Sequence, residues 1–523
     1  MRSTQAKPSQ SAKLGLGSGL IVLSALASAA STAWPFDFLL PLGRPVWWLQ
    51  FLGLGAFCAV LNRCSGARQA AQAGVLFASV WLCATFWWLY VAMHTYAGLN
   101  GLIAAVAVVL LAAALAIYYG LVCAVYVYLG ERNPALASVV FAALWTFAEM
   151  ARGIWLTGFG WGAIGYAHID GPLGWYIPWV GAYGVAALAA WLAMSFSLVK
   201  RRSKTSLAAI AMVLAIPYVL PASFNDWTES TGEMSVTLLQ GNIPQDEKFQ
   251  TGSGVPIALQ WYAEQLLAST TDVVVTPETA IPVLPQQLPN SYWQPMQEHF
   301  AKDGRAALIG LPLGSRTEGF SNSVLGIAAG QPSTWRYDKH HLVPFGEFIP
   351  PMFKWFTAMM NIPLGDFNRG SLGQASFATA RQRLAVNICY EDLFGEELGT
   401  RFADDASAPT IFVNVSNIAW FGDTLAIDQH LQISRMRVLE FQRPFVRATN
   451  TGSTAILDHR AQVVDELPRH TRGVLIGQVQ GRNGTTPYAW WVSRAGLWPL
   501  WLGILAAVAW AWQRRRVRMR LAN

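Results

Sequence analysis

The chain has 523 residues, of which 53% are hydrophobic and only 13% are charged. A soluble globular protein carries about a quarter charged residues, so this composition excludes a chain that is soluble throughout. The formal net charge is +7. The basic residues lie at the ends of apolar segments and form no stripe interleaved with aromatic residues, which excludes nucleic acid as the expected partner.

Eight segments are long and apolar enough to cross a bilayer, which takes about 20 residues in a helix. They are residues 14–34, 38–61, 72–92, 101–129, 135–151, 176–199, 205–221 and 495–512. Further apolar segments follow the first at once, so we interpret it as a span rather than a cleaved signal peptide. A composition shift near Pro221 predicts three parts: a seven-span bundle over 1–225, an extramembrane domain over 226–494, and a last span with a basic tail over 495–523.

The basic residues of the connecting loops predict the orientation of these spans. On one side lie Arg2, Lys7, Lys13, Arg63, Arg68, Arg132, Lys200, Arg201, Arg202, Lys204 and the arginines of residues 514–520. On the other side, the 93–100 loop has no Lys or Arg and the 152–175 loop has only Arg152. Positive loops stay in the cytoplasm. We therefore expect a bacterial inner-membrane protein with both termini in the cytoplasm and the 226–494 domain in the periplasm.

Two charged residues, Glu149 and Arg152, lie near the end of the fifth segment. They are compatible with a mutually paired structural couple or with a lipid headgroup contact, and the sequence leaves both open.

The five cysteines are unevenly divided between the apolar segments and the extramembrane domain. Cys58, Cys64, Cys83 and Cys123 lie in or beside apolar segments, where a cysteine is usually a small buried hydrophobe. Cys389 is the only cysteine of the 226–494 domain, so that domain has no internal disulfide, and a free thiol in an oxidising compartment calls for a reason.

Short β-branched runs alternate with helical stretches in the extramembrane domain, which predicts an α/β fold with covering helices. Strands are expected at 234–240, 272–276, 306–310, 322–328, 384–388, 410–415, 444–449 and 453–457. Helices are expected at 255–269, 293–302, 392–405 and 424–442.

The first reactive motif is DVVVTPETAIP, residues 272–282. Its strand ends at Thr276, and Glu278 is presented beside apolar residues. Burial raises the pKa of a carboxyl group and favours a general base. A helix-capping glutamate is the alternative.

The second motif is RYDKHHLVPFGEFIP, residues 336–350. Lys339 suits the stabilisation of an oxyanion, although a solvated loop lysine would give the same pattern. The adjacent His340 and His341 suggest a metal or a Cys–His pair. We discount both because their side chains point apart in an extended chain and no third ligand follows at metal spacing. No metal or other cofactor is predicted.

The third motif is LAVNICYEDLFGEE, residues 384–397. A hydrophobic strand runs directly into Cys389, and a helix is expected from about Asp392. A nucleophile on such a turn is exposed at the sheet edge, and helix N–H groups lower the pKa of a thiol there. The polar run that follows Cys389 argues against a buried, inert cysteine.

A Glu, a Lys and a Cys at successive strand ends resemble the nitrilase superfamily of carbon–nitrogen hydrolases. With LLQGNIPQ (238–245), PETAIP (277–282), KHHLVPFGEFIP (339–350), CYEDLFG (389–395), the run 419–456 and eight spans, the chain resembles the apolipoprotein N-acyltransferase family over essentially its whole length. Thr276 and Phe249 depart from the family, which often has Trp at both positions. The resemblance implies a nitrilase-like αββα sandwich on the α-helical membrane bundle.

The resemblance also implies a two-step exchange. An acyl chain passes from a phospholipid, usually phosphatidylethanolamine, to Cys389 as a thioester, and then to the α-amine of the diacylglyceryl-cysteine of an apolipoprotein. Glu278 would be the base, Lys339 the oxyanion stabiliser and Glu347 a supporting carboxylate. Tyr390 and Glu391 would shape the pocket, and Trp420 and Phe421 would belong to an apolar loop near its entrance.

Two other functions fit parts of the pattern. A membrane-tethered amidase or nitrilase acting on a small soluble substrate would share the chemistry up to the thioester. A transporter or receptor would have an outer domain that only binds ligand. Transporter spans carry paired ionisable groups near the midplane, whereas the one candidate pair, Glu149 and Arg152, lies near a span end.

Overall fold

The computed structural model describes residues 10–201, 204–301, 304–329, 335–349 and 367–522. Arg2, Lys7, Arg202 and Pro350, which belong to the predicted loop charges and to the second motif, lie outside the described residues.

Each predicted apolar segment contains a helix of the membrane bundle. The helices are α1 (Gln10–Thr32), α2 (Trp47–Leu61), α3 (Ala67–Thr85), α4 (Leu89–Val91), α5 (Gly101–Leu129), α6 (Pro134–Ile154), α7 (Ile177–Ser197) and α8 (Lys204–Val219). The local sequence explains where α5 begins and ends. The Asn100 side chain accepts a hydrogen bond from Leu102 N at the start of α5. Gly130 ends that helix with a φ of 56°, a left-handed conformation that glycine adopts without steric cost.

Length and composition support fewer spans than the eight predicted. Within the part of the chain that the structure describes, three helical stretches qualify: Gly101–Leu129, Pro134–Thr157 and Pro172–Ser197. Two bent pairs raise the number to five if each is one span: Ala67–Thr85 with Leu89–Tyr96, bent by 63°, and Pro487–Ala495 with Trp498–Leu521, bent by 86°. The other apolar helices are shorter. The eight-span count is therefore not confirmed, because hydropathy alone does not show where a helix begins or bends.

Glu149 and Arg152 are both buried in α6 and hold the loop that follows it. Arg152 donates hydrogen bonds to the carbonyl oxygens of Phe159, Gly160 and Trp161 and to the Tyr119 hydroxyl. Glu149 accepts hydrogen bonds from Ile164 N and the Trp145 indole. Arg152 is only 1% exposed, which excludes a lipid headgroup contact in this conformation. The pair is structural, with each member bound to the loop.

Two sheets of six strands each form the extramembrane domain within the described residues. The strands are β1 (Glu229–Gln240), β2 (Val273–Val275), β3 (Ala306–Ser315), β4 (Gly319–Ala328), β5 (Trp335–Asp338), β6 (Phe377–Ala378), β7 (Arg383–Ile388), β8 (Ile411–Ser416), β9 (Phe445–Thr449), β10 (Ala455–Leu457), β11 (Val463–Glu466) and β12 (Gly473–Asn483). Their orders are β12-β1-β2-β3-β4-β5 and β11-β10-β9-β8-β7-β6. Strands β1–β3 and β7–β9 run parallel.

The sheets pack face to face, and helices cover their outer faces. Val236, Leu308, Val386 and Val413 contribute to the core between them. The helices of this region are α9 (Gly254–Ala268), α10 (Asn290–Phe300), α11 (Gly395–Gly399), α12 (Ala426–Phe441), α13 (Pro487–Ala495) and α14 (Trp498–Ala522). Helices α9 and α10 cover the first sheet, and α12 covers the second. These layers confirm the predicted α/β fold.

One predicted helix is wrong. Instead of one helix over 392–405, the chain forms a 3₁₀ turn at Cys389–Leu393, then the short α11, and then a second 3₁₀ turn at Thr400–Phe402. The backbone of Phe394 has φ −101° and ψ 80°, which is not helical and breaks the segment.

Helix α12 joins the extramembrane domain to the bundle through polar contacts. The Gln429 side chain accepts hydrogen bonds from the indoles of Trp88 and Trp161 and donates one to Thr85 O. Arg435 pairs with Asp170 at 2.5 Å. A buried amide must satisfy both its donor and its acceptor groups, so Gln429 fixes where α12 rests on the bundle.

Candidate active site

Cys389 lies at a sharp turn between β7 and the 3₁₀ turn that follows. Its φ is 55°, a left-handed conformation that costs a residue with a side chain about 1–3 kcal/mol unless its surroundings enforce it. The Cys389 carbonyl oxygen accepts a hydrogen bond of 2.8 Å from the Asn414 side chain on β8. The turn at a strand end agrees with the prediction from the third motif, but Cys389 is half-buried rather than exposed.

Glu278 follows β2, where Pro277 ends the strand. Its carboxylate accepts hydrogen bonds from Lys339 Nζ at 3.2 Å, from the Asn322 amide at 2.7 Å and from Asn417 N at 2.9 Å. The side chain is only 9% exposed. Four chain segments therefore converge on one carboxylate.

Lys339 follows β5 and lies between two carboxylates. Its Nζ is 3.2 Å from Glu278 Oε1 and 2.9 Å from Glu347 Oε1, and its side chain is 1% exposed. Asn322 donates 2.7 Å hydrogen bonds to both carboxylates. Val343 N donates to the second oxygen of Glu347 at 2.8 Å. The predicted Glu278, Lys339 and Glu347 thus form one connected group.

The charges of this group differ from the sequence prediction. Burial alone would raise the pKa of Glu278, but Lys339, Lys248 and the Asn322 amide hold that pKa below its usual value. Burial alone would lower the pKa of Lys339, but the two carboxylates hold it well above its usual value. Both groups are therefore ionised at neutral pH. The predicted upward shift at Glu278 is wrong because three partners outweigh burial.

The thiol also departs from its predicted state. Burial and the negative charge of Glu278 raise the pKa of Cys389 to about 12, against the opposing effect of Lys339. The predicted lowering of the thiol pKa is wrong, because burial and the charge of Glu278 outweigh the lowering effects of Lys339 and Ser416. The resting thiol is protonated at neutral pH.

Tyr390 and Glu391 tie the Lys339 loop to the Cys389 turn. Glu391 accepts hydrogen bonds from the backbone N–H groups of His340, His341 and Ile388 and from the Tyr337 hydroxyl. The Tyr390 hydroxyl donates to Leu342 O at 2.9 Å, and its ring lies 5.9 Å from Lys339 Nζ.

Trp420 and Phe421 lie where the site meets the membrane bundle. Phe421 packs on Trp88, with ring centroids 4.3 Å apart. Trp420 is 38% exposed and lies 6.1 Å from Tyr96. Cys389 packs both against the core between the two sheets and against a hydrophobic cluster that joins the bundle to the extramembrane domain. The thiol therefore borders an apolar cluster that is continuous with the membrane region.

Comparison with known proteins matches both regions. Residues 27–195 match the model of the apolipoprotein N-acyltransferase N-terminal domain, and residues 235–488 match that of carbon-nitrogen hydrolases. The chain is 52% identical to the apolipoprotein N-acyltransferase of Verminephrobacter eiseniae (strain EF01-2), over 95% of this chain and 96% of that protein. It is 42% identical to that of Ralstonia nicotianae (strain ATCC BAA-1114 / GMI1000), over 90% of each.

The chain belongs to the apolipoprotein N-acyltransferase family. It is an N-acyltransferase that acts on lipoproteins in a membrane context, as the resemblance predicted. Neither the amidase or nitrilase alternative nor the transporter alternative is favoured.

The adjacent histidines of this family member have structural partners. The His341 ring stacks on Phe394 at 3.5 Å, and its nitrogens contact Thr157 O at 2.7 Å and Glu397 at 2.9 Å. His340 Nδ1 contacts Gly370 O. Across the described residues, no group of three or more His, Cys, Asp or Glu side chains could hold a metal ion.

Several residues of the site were not predicted from the sequence. Lys248 is buried and donates a 3.0 Å hydrogen bond to Glu278 O, and burial lowers its pKa to about 8. Asn322 and Asn417 bind Glu278 directly. Lys248 follows the GNIPQ motif closely, which is a signal that could have drawn attention to it. Asn322 opens a predicted strand, and no pattern there indicates a bridging amide.

Proposed function

We propose that the acyl donor is a phospholipid, with phosphatidylethanolamine as the first candidate, and that Cys389 carries the chain as a thioester. One observation carries the proposal: Cys389 occupies a strained turn beside the paired Glu278 and Lys339 and packs against a hydrophobic cluster that is continuous with the bundle. The final acceptor is the α-amine of the diacylglyceryl-cysteine of an apolipoprotein.

In the first step, the Cys389 sulfur attacks the ester carbonyl of the lipid, and Glu278 accepts the thiol proton. Lys339 donates a hydrogen bond to the oxyanion that forms. When the tetrahedral intermediate collapses, the ester C–O bond breaks and the proton on Glu278 passes to the leaving alkoxide. The products are a lysophospholipid and the thioester. Since the resting thiol is protonated, attack requires that Glu278 take the thiol proton.

In the second step, the amine of the apolipoprotein attacks the thioester carbonyl. Glu278 accepts a proton from the amine and returns it to the departing Cys389 thiolate, so the amide forms and the enzyme is restored. Glu347 holds Lys339 in place through the 2.9 Å contact.

The surroundings of Cys389 support a lipid substrate. Moving an acyl chain into water costs about 0.8 kcal/mol per CH₂, so the donor must reach the site from the bilayer. A thioester also persists longer where water is excluded. Trp420 and Phe421 would line the entrance, and Tyr390 and Glu391 would fix the shape of the pocket.

We also propose the topology and domain limits that the sequence suggested: spans in 1–225, a periplasmic catalytic domain over 226–494 and a last span in 495–523. Eight spans, an inner-membrane location and cytoplasmic termini belong to this proposal. One contact supports it. Arg514 and Arg518 near the end of α14 pair with Glu131 beside Arg132. The basic tail and the 130–133 loop that contains Arg132 therefore lie on the same side, which supports the orientation expected from the positive-inside rule.

Phosphatidylethanolamine with isotope-labelled acyl chains tests the chemistry. Intact-protein mass spectrometry should find the labelled chain on the wild-type enzyme, and an acceptor peptide with a free diacylglyceryl-cysteine should remove it. The adduct should be absent from Cys389→Ala and present in the matched control Cys83→Ala. Transfer to the peptide without labelled protein at any time would refute the thioester.

A further inference from the structure

A buried polar network contacts the strained backbone of Cys389. The Cys389 carbonyl oxygen accepts hydrogen bonds from Asn414 Nδ2 at 2.8 Å and from His430 Nε2 at 3.2 Å. A left-handed conformation at a residue with a side chain persists only where the surrounding structure enforces it. His430 lies on α12 and is 1% exposed, so this buried side chain can enforce the conformation of Cys389.

The hydrogen-bond partners of His430 fix its tautomer. Arg447 Nη2 lies 3.0 Å from His430 Nδ1, and a guanidinium is only a donor. Nδ1 must therefore accept, so the proton of the neutral ring is on Nε2. That N–H faces the Cys389 carbonyl oxygen and Asp392 Oδ1, the latter at 3.0 Å.

Asp392 and Arg447 complete the network. Arg447 Nη1 pairs with Asp392 Oδ2 at 3.2 Å, and both side chains are 0% exposed. The Ser434 hydroxyl donates to Asp392 and contacts Arg447. A buried ion pair is weak evidence for stability, and specifying one conformation is a recognised reason for keeping such a pair.

The bundle supports the same histidine. The Trp161 ring lies 5.7 Å from the His430 ring, and its indole binds Gln429, the preceding residue of α12. Contacts with the membrane region therefore fix the histidine that contacts the nucleophile.

We propose that His430 is a positioning residue that, through its Nε2–H, holds Cys389 in the conformation that directs the thiol towards Glu278 and Lys339. The inference rests on the proposed role of Cys389 as acyl carrier. It assigns no proton transfer to His430, which acts only through the backbone of the nucleophile.

Two amide variants distinguish the roles of the two nitrogens of the His430 ring. His430→Gln retains an N–H donor near the position of Nε2, whereas His430→Asn retains an acceptor for Arg447 near Nδ1 but does not reach Cys389. Thioester formation from labelled phosphatidylethanolamine is followed on the full-length enzyme by quenching and mass spectrometry. We expect His430→Asn to form the thioester at least tenfold more slowly, with the half-saturating donor concentration unchanged within twofold. We expect His430→Gln to remain within threefold of wild type.

Ile433→Ala, a buried change on the same helix, controls for lost stability and should keep the rate within threefold despite a lower melting temperature. Equal rates for the two amide variants, or an equally slow Ile433→Ala, would overturn the inference. Cys389→Ala is run in parallel. Label on that variant would refute the proposed function, whereas a Cys389-dependent adduct with equal amide variants would refute the positioning role alone.

Discussion

Asn322→Leu tests whether one neutral amide organises the charged group. Asn322 is 5% exposed, and its Nδ2 donates 2.7 Å hydrogen bonds to Glu278 and to Glu347. A hydrogen bond to a charged group contributes about 1.5–3 kcal/mol, so losing two should lower the free energy of unfolding by about 3 kcal/mol or more. The pKa of Glu278 should rise, because the amide helps to keep it low.

The same loss should slow catalysis. If the transition state loses only one of these bonds, kcat/KM falls at least about tenfold, since about 1.4 kcal/mol is a factor of ten in rate. The assay is acyl transfer from phosphatidylethanolamine to a lipopeptide, with thermal unfolding in the same detergent. Val324→Ala, a fully buried change on the same strand, gives a destabilised control without contact to the carboxylates. Equal activity of the two variants at equal stability would refute the reasoning.

Three further outcomes are expected. The alkylation rate of Cys389 by iodoacetamide should rise about tenfold per pH unit from pH 7 to 9, because its pKa is about 12; a plateau below pH 9 would contradict this. Arg152→Met should lower the free energy of unfolding by about 3 kcal/mol, because three buried carbonyl groups lose their donor, and an unchanged melting temperature would exclude this role. His430 and Arg447 hold the pKa of Asp392 below its usual value despite burial. The contribution of ionised Asp392 to the free energy of unfolding is therefore complete above its unfolded pKa of about 3.9, and it is lost as the pH falls through its pKa in the folded protein. The stability difference between wild type and Asp392→Asn should therefore shrink below about pH 4; a difference independent of pH would argue against an ionised Asp392.

The sequence by itself determined the class of the protein and drew attention to the residues that we propose carry its chemistry. Apolar runs identify a membrane region because side chains facing lipid must be apolar over a fixed length, while the polar backbone groups are hydrogen-bonded within the helix. The strand ends before Glu278 and Cys389 follow from β-branched runs, whereas the strand before Lys339, β5, was not among the predicted strands. Both are local signals, which is why they can be recognised along the chain.

The tertiary structure decided what lies around those residues. Asn322, Asn417 and Lys248 reach Glu278 from segments distant in the chain, and the direction of its pKa shift depends on them. The turn at Cys389 depends on Asn414 and on His430. Burial, charge and hydrogen bonding act through distance in space, and a pattern of neighbours in sequence does not contain those distances. For that reason the sequence singled out the proposed nucleophile, base and lysine, whereas only the folded chain determined their protonation states and what holds them in place.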